Sequence, residues 1–306
     1  MGNDMEKVLS GKPIAALVKA TIKDLVAEYS IKPRMCLIQL GEDPASAFYV
    51  QNIVSNASRL GCEIEYAKLP GSTAQEILLD AIQAANADPS IHGIMLQKPL
   101  PSHIDDALAG AAIDPGKDID CLNPLNLGKL VREEDCFLPC TPLAVICTLR
   151  HYRIPTQGRH AVIIGRSPVV GKSLANLLLW KKPWANASVT VCHSRSQDLS
   201  SFTSQADILV AAMGKAEFVT ADMVGQNSVL IDVGINEVPG LEGETRYVGD
   251  IDYNGCFEKA SALTPVPGGI GSVTTSLLFL NLVKACLAQQ GTNKSIDDFL
   301  DIIFKD

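Results

Sequence analysis

Aromatic side chains are scarce in this sequence: Phe, Tyr and Trp together make up 5% of 306 residues. Single-stranded nucleic acids are bound on aromatic stacking platforms, so a binder of that class is disfavoured. Basic residues are also in deficit. There are 26 Lys and Arg against 34 Asp and Glu, a formal net charge of −8, whereas a phosphate-backbone binder needs a basic face. No apolar run approaches the roughly 20 residues of a membrane span. The richest, Ser276-Leu-Leu-Phe-Leu-Asn-Leu-Val-Lys-Ala-Cys-Leu, is interrupted by Asn281 and Lys284. The opening Met1-Gly-Asn-Asp-Met-Glu-Lys has no hydrophobic core of a signal peptide. Gly2 is followed by Glu at position 6, where a myristoylation signal wants Ser or Thr. No C-x-x-C occurs among the nine cysteines, an odd number. They read as free thiols packed as small apolar residues in a reducing cytoplasm. Cys136 and Cys140 have no His close enough to complete a zinc set. The expectation is a cytoplasmic protein without nucleic-acid, membrane or metal partners.

What is present is ordinary globular material, 47% apolar and 20% charged, at about twice the length of a typical domain. Apolar residues recur at helical spacing over 5–29, and 35–40 is a short buried run ending at Gly41. A helix over 45–60 closes at Gly61, a strand covers 63–69, Ser72 or Thr73 caps a helix to 85, and 93–96 is the next strand. That alternation predicts an α/β fold with a parallel sheet flanked by helices. A turn-rich stretch covers 114–128, and Thr141-Pro142 opens a helix to about 152. From 150 to 262 a second doubly wound unit follows, with strands at 160–164, 188–192, 208–212 and 229–233 and a helix at 171–180. The last helix, about 273–289, is assigned back to the first domain.

The most informative segment is Gly165-Arg-Ser-Pro-Val-Val-Gly171, between a strand and a helix. A dinucleotide pyrophosphate binds at such a turn, on backbone N–H groups and the helix dipole. The spacing is G-x5-G, so the common G-x-G-x-x-G fingerprint is absent. The next strand ends Val191-Cys-His-Ser-Arg195-Ser196. An NAD site places Asp or Glu there for the ribose hydroxyls. Arg195 with Arg166 across the turn, and Ser hydroxyls, suit a 2′-phosphate instead, which favours NADP. Met213-Gly214-Lys215 and Asp232-Val-Gly234-Ile-Asn236 follow two further strands and are expected to face the same crevice. Thr264-Pro-Val-Pro-Gly-Gly-Ile-Gly271 is another rigid loop. In the first domain Tyr49, Gln97 and Asp120 stand out. Gln97 and Asp120, at a strand end and in a loop, can bind a heteroaromatic ring bearing N–H and C=O groups.

Together these stretches resemble the methylenetetrahydrofolate dehydrogenase/methenyltetrahydrofolate cyclohydrolase (FolD) family. The resemblance also rests on Gly41-Glu-Asp-Pro-Ala-Ser-Ala-Phe-Tyr-Val50, Gly93-Ile-Met-Leu-Gln-Lys-Pro-Leu-Pro101, Lys117-Asp-Ile-Asp120, Pro139-Cys-Thr-Pro142 and Val248-Gly-Asp250, in the family's order along nearly the whole chain. It implies a folate-binding catalytic domain (1–140 plus 272–306) and a Rossmann-like NADP-binding domain (141–271) with a cleft between them. By resemblance Tyr49 stacks on the folate, Gln97 lies beside the catalytic centre and Asp120 binds the pterin. Pro265, Gly269 and Ile270 line the folate site. Thr141, Gly165, Arg166, Ser167, Gly171, Ser194, Arg195 and Ile235 hold NADP. A tetrahydrofolate derivative is the implied substrate and a homodimer the implied assembly.

One departure stands out. The family's Tyr-Val-x-x-Lys carries the cyclohydrolase lysine, and here that position is Ile53; a second family lysine two residues on is Ser55. Isoleucine can neither move a proton nor orient a water. Lys98 stands where the family has leucine, Cys121 for a glycine, Leu143 for a lysine and Ser272 for a proline. The expectation is therefore an NADP-dependent 5,10-methylenetetrahydrofolate dehydrogenase without cyclohydrolase, a separate cyclohydrolase completing the sequence of reactions. The alternatives are a bifunctional enzyme using Lys98, or a non-catalytic folate- or nucleotide-binding homologue. Alternation along a strand would send Gln97 and Lys98 to opposite faces, so both enter the cleft only if the strand has ended.

Overall fold

A computed structural model describes residues 7–42, 44–240 and 244–305, without the side chains of 44–49. The chain divides into two compact units. One comprises Leu17–Pro139 and Thr275–Asp306, the other residues 7–16 and Cys140–Thr274. The break thus falls close to residues 140 and 272, but residues 7–16 go with the second unit. Leu9 N–H donates to Leu263 O at 2.9 Å and Leu263 N–H to Lys7 O at 2.8 Å. Val8 therefore pairs in parallel with Leu263. For the same reason the first helix starts at Gly11 rather than near residue 5.

The elements of the first unit begin with α1 (Gly11–Glu28), which crosses the division, then β1 (Arg34–Leu40), α2 (Pro44–Arg59), β2 (Glu63–Leu69), α3 (Gln75–Ala87) and β3 (Gly93–Leu96). The strands pair in parallel in the order β2-β1-β3. Helix-strand alternation with runs such as Met35-Cys-Leu-Ile38 buried on both faces produces this sheet. Ser72 and Thr73 do not cap α3; its N-cap is Ala74, with no side-chain cap bond, and the Thr73 hydroxyl donates to Pro70 O at 2.6 Å. The end of the stretch read as turns lies in α5 (Pro124–Val131), and α4 (Asp106–Ala112) precedes that stretch; each helix is capped by an Asx side chain, Asn123 and Asp105 respectively. One core gathers Ile38, Leu78, Ile82, Ile94, Leu96 and Ile113.

In the second unit α6 (Cys140–His151) leads to β4 (His160–Ile164). A π-helical turn, Pro168–Lys172, runs into α7 (Ser173–Leu179), so the expected 171–180 helix starts earlier and irregularly. There follow β5 (Ser188–Cys192), α8 (Leu199–Thr203), β6 (Ile208–Ala211), a 3₁₀ turn at Ala221–Met223 and β7 (Val229–Asp232). An antiparallel hairpin of β8 (Asn236–Pro239) and β9 (Thr245–Val248), which the sequence reading did not anticipate, precedes α9 (Tyr253–Phe257) and β10 (Ala262–Leu263). The five-stranded parallel sheet has the order β10-β7-β6-β4-β5.

The chain then returns to the first unit through α10 (Gly271–Gln289) and ends in α11 (Ile296–Phe304). By length and composition α10 could cross a membrane, contrary to the sequence expectation, yet 72% of its apolar window is buried inside the protein. Its two polar interruptions anchor it there. Asn281 Nδ2 donates to Ile119 O (2.8 Å) and Leu138 O (3.0 Å). Lys284 Nζ donates to Asp135 Oδ1 (2.6 Å) and Cys136 O (2.8 Å). Buried polar groups that are fully bonded cost little, and α10 is a core helix.

Candidate active site

A cavity of about 510 Å³ opens at the carboxyl ends of β4, β5 and β6, lined by Gly165, Arg166, Ser167, His193, Ser194 and Lys215 among others. Ligands of open α/β sheets bind on this side of the strands. The glycines of the G-x5-G turn are dictated by contact. Gly165 has φ +138, and a Cβ there would lie 2.2 Å from Ala212 O; a Cβ on Gly171 would lie 2.1 Å from Gly165 O. Neither position admits a side chain, so the strand can turn tightly into the helix. Ser167 caps that turn, its Oγ accepting from Val170 N–H at 3.3 Å, with Pro168 as the first helical residue.

At the end of β5, Ser196 Oγ accepts from His193 N–H (3.0 Å) and His193 Nδ1 accepts from Arg195 N–H (3.1 Å), which fixes the 193–196 turn. Arg166, Ser167, Ser194 and Arg195 are all exposed. The cavity lining contains two cations, Arg166 and Lys215, and no carboxylate, in a chain whose net charge is −8. The sequence reading named the Met213-Gly214-Lys215 turn but passed over Lys215; a cation one residue past a strand-end glycine was the available signal. A smaller cavity of about 240 Å³ lies at the opposite strand ends. Its charges, Arg159 and Asp207, face each other at 3.6 Å.

Of the two turns expected to share the crevice, the 213–215 turn contributes Met213 and Lys215 to this cavity's lining, while the Gly234 turn leaves Ile235 exposed. The Gly234 turn is turned inward to the buried Asp250. That carboxylate accepts from the N–H groups of Met213 (2.7 Å), Gly214 (3.0 Å) and Lys215 (2.8 Å) and from Asn236 Nδ2 (2.9 Å). Thr141 is half-buried near the start of α6, and Ile235 is exposed. Ile270 is buried. Gly269 is likewise buried, a Cβ there meeting Pro265 O at 2.5 Å, while Pro265 is half-buried. The structure thus sets Pro265, Gly269 and Ile270 in the second unit, with Gly269 serving loop packing.

In the first unit the Lys117-Asp-Ile-Asp120 segment divides its labour. Lys117 Nζ donates to the carbonyls of Ala85, Asn86 and Asp88 at 2.7–3.0 Å, closing the end of α3. Asp118 is fully buried and accepts from Leu122 N–H, Asn123 N–H and Asn126 Nδ2 at 2.8–2.9 Å; burial raises its carboxyl above the usual range, and these bonds oppose that. Ile119 fills the space left by Gly93, where a Cβ would come within 2.6 Å of it. Asp120 is the half-buried member. Cys121 is buried at φ +57, a left-handed conformation that favours glycine.

Gln97 is 7% exposed. Its Nε2 donates to Lys98 O at 2.6 Å, while its buried Oε1 has no hydrogen-bond partner among the described residues. A buried acceptor left unpaired is costly. β3 ends at Leu96, so the condition under which strand alternation would not govern Gln97 and Lys98 is met. The Lys98 ammonium pairs with Asp106. Burial lowers its pKa, and the charge of Asp120 works against that. The Tyr49 side chain lies outside the described residues. Ile53 is fully buried, on an α2 stripe with Val50 and Ala57 that Leu60, just past the helix, continues; Ser55 is exposed, its hydroxyl bonded to Asn52 O at 3.1 Å.

Comparison with known proteins fits both units. Residues 9–120 match the catalytic domain of tetrahydrofolate dehydrogenase/cyclohydrolase, and residues 139–290 its NAD(P)-binding domain. The chain belongs to this family. It is 45% identical over 286 residues to the bifunctional protein FolD of Chloroherpeton thalassium, covering 91% of this chain and 97% of that one. Among solved structures, the bifunctional FolD of Campylobacter jejuni is 37% identical with a TM-score of 0.86, covering 92% and 98% of the two chains. A 5,10-methylenetetrahydrofolate dehydrogenase from the silkworm Bombyx mori is 35% identical with a TM-score of 0.88, covering 94% and 100%. The FolD of Trypanosoma brucei, solved with NADP and an inhibitor, is 31% identical with a TM-score of 0.85, covering 93% and 98%.

Proposed function

We propose that this FolD-family chain is an NADP-dependent 5,10-methylenetetrahydrofolate dehydrogenase that has lost the cyclohydrolase step. The cofactor assignment is carried by the carboxylate-free cavity at the Gly165 turn, with Arg166, Ser167 and Ser194 in its lining and Arg195 beside it. A 2′-phosphate suits guanidinium and hydroxyl donors, and nothing in that lining repels it. NADP, when bound, accepts the hydride of the folate methylene. The chain's own part is to hold the two partners in register, which is mainly positioning. Gln97 offers to a donor N–H of the folate its Oε1, which no described residue bonds, and Asp120 offers a second acceptor.

Loss of hydrolysis rests on Ile53. An aliphatic side chain without solvent exposure supplies no proton relay where the family pattern has lysine. General acid–base groups contribute about 10²–10⁴-fold, so methenyl-folate would leave as product and a separate cyclohydrolase would consume it. A second reading, a bifunctional enzyme, is favoured by the names of the relatives, bifunctional at 42–45% identity, with Lys98 as its replacement group. A non-catalytic binding role fits poorly with a retained phosphate cradle. A homodimer in the cytoplasm belongs to the same proposal, its assembly measurable by sedimentation.

A paired assay on the purified protein separates these readings. NADP reduction with methylenetetrahydrofolate should be matched mole for mole by accumulating methenyltetrahydrofolate. Enzyme-dependent disappearance of added methenyltetrahydrofolate would make the chain bifunctional; absence of NADP reduction would leave a binding protein.

A further inference from the structure

We infer that Lys215 is a contact to the dinucleotide pyrophosphate, held in place by Asp250. The inference rests on the dinucleotide reading above and adds a residue to it. Lys215 lines the same cavity as Arg166 and Ser167. It arrives there on a turn with little freedom. The backbone N–H groups of Met213, Gly214 and Lys215 all end on the Asp250 carboxylate, at 2.7–3.0 Å. Asp250 is fully buried, and its own N–H donates to Asp232 Oδ1 at 2.9 Å. The Lys215 side chain rests on Phe218, its Nζ 4.3 Å from the ring centroid, and Phe218 also lines the cavity. The nearest acidic neighbour in sequence, Glu217, faces Arg246 at 3.8 Å.

Sheet order decides which phosphate Lys215 serves. β4, with the Gly165 turn, lies between β5, which leads to Ser194 and Arg195, and β6, which leads to Lys215. Adjacent strands are about 4.8 Å apart, so the two flanks are separated by about 10 Å. A pyrophosphate on the Gly165 turn has Lys215 on one side. The ribose 2′ position, read by the end of β5, lies on the other. Lys215 therefore serves the group common to NAD and NADP, whereas Arg195 serves the 2′-phosphate alone.

The test is dinucleotide binding by calorimetry, with no turnover required. Lys215→Ala should weaken NADP and NAD by the same factor, about tenfold for one lost charge-assisted contact at an exposed site. Lys215→Arg should restore most of it, and Lys215→Met, which keeps the stem on Phe218, should behave as the alanine variant. Arg195→Ala is the control and should weaken NADP only. Unchanged binding of both dinucleotides in Lys215→Ala overturns the inference, as does a loss confined to NADP. Failure of the unmodified protein to bind either dinucleotide would instead overturn the cofactor reading itself.

Discussion

Asp232 and Asp250 each occupy the space that a side chain would need on the glycine beside the other. A Cβ on Gly249 would lie 1.9 Å from Asp232 Oδ2, and a Cβ on Gly234 would lie 2.2 Å from Asp250 Oδ1. The two carboxylates thereby lock the end of β7 to the segment after β9 and support the turn that carries Lys215. Gly249→Ala and Gly234→Ala should each destabilise by about 3 kcal/mol or more, because neither buried carboxylate can yield without losing its N–H donors. Gly214→Ala meets no atom within 4 Å but sits at φ +65. It should cost only the left-handed penalty of about 1–2 kcal/mol. Urea unfolding of the three variants checks the ranking; equal losses would mean that the carboxylates are free to move.

Burial pushes the Asp232 carboxyl from 3.8 up to about 6, against the opposing pull of three backbone N–H bonds. The folded state thus holds this proton more tightly than the unfolded chain. Stability from this group is fully present below the unfolded pKa and falls as pH rises through the folded one. The window runs from 3.8 to about 6, and the loss across it is of the order of 3 kcal/mol. Asp232→Asn does not titrate. The stability advantage of the unmodified protein over that variant should therefore shrink between about pH 4 and pH 7. A constant difference across the window would show that the native carboxyl titrates normally.

Both sheets were legible in the sequence because their strands are continuous apolar runs ending at glycine or a turn, as at 35–40 and 160–164. The turn after β4 was legible for a related reason: Gly165 and Gly171 mark a strand-to-helix turn whatever fills the rest. What escaped has long-range causes. The pairing of Val8 with Leu263 depends on a partner more than 250 residues away, and nothing local distinguishes residues 7–9 from a helix start. The β8–β9 hairpin has little apolar alternation to mark it, its strands being largely half-buried or exposed. Asp232 and Asp250 sit in segments quoted for the family resemblance, but their mutual bracing is visible only in three dimensions. The same holds for Ile53, whose place on the buried stripe of α2 emerges only with Val50 and Ala57 beside it.

All nine cysteines are free and buried. Burial pushes the thiols of Cys36, Cys256 and Cys286 up to about 11 and those of Cys62, Cys136 and Cys147 up to about 12. Thiolate is the reactive species, so the folded protein should resist an aromatic disulfide reagent near neutral pH and expose nine reactive thiols in denaturant. Rapid release of even one equivalent from the native protein would identify a cysteine that the fold does not protect.

Lys98 is the residue on which the monofunctional reading can fail. Its ammonium is held by Asp106, with side chains 34% and 67% exposed, an ion pair of the kind worth about 0–1 kcal/mol. Lys98→Leu should therefore leave folding and NADP reduction near the unmodified level. If Ile53 has ended hydrolysis, both proteins should consume methenyltetrahydrofolate at the same background rate. If Lys98 has taken over the proton transfer, the substitution should remove a catalytic contribution of about 10²–10⁴-fold. Because its ion pair contributes so little to stability, misfolding would not explain such a drop. Ile53→Lys is the harder experiment. It forces an ammonium into a position without solvent exposure, where burial disfavours the charged form and costs several kcal/mol. That variant should lose stability before it gains hydrolysis, so the Lys98 substitution, read with both substrates, decides between one activity and two.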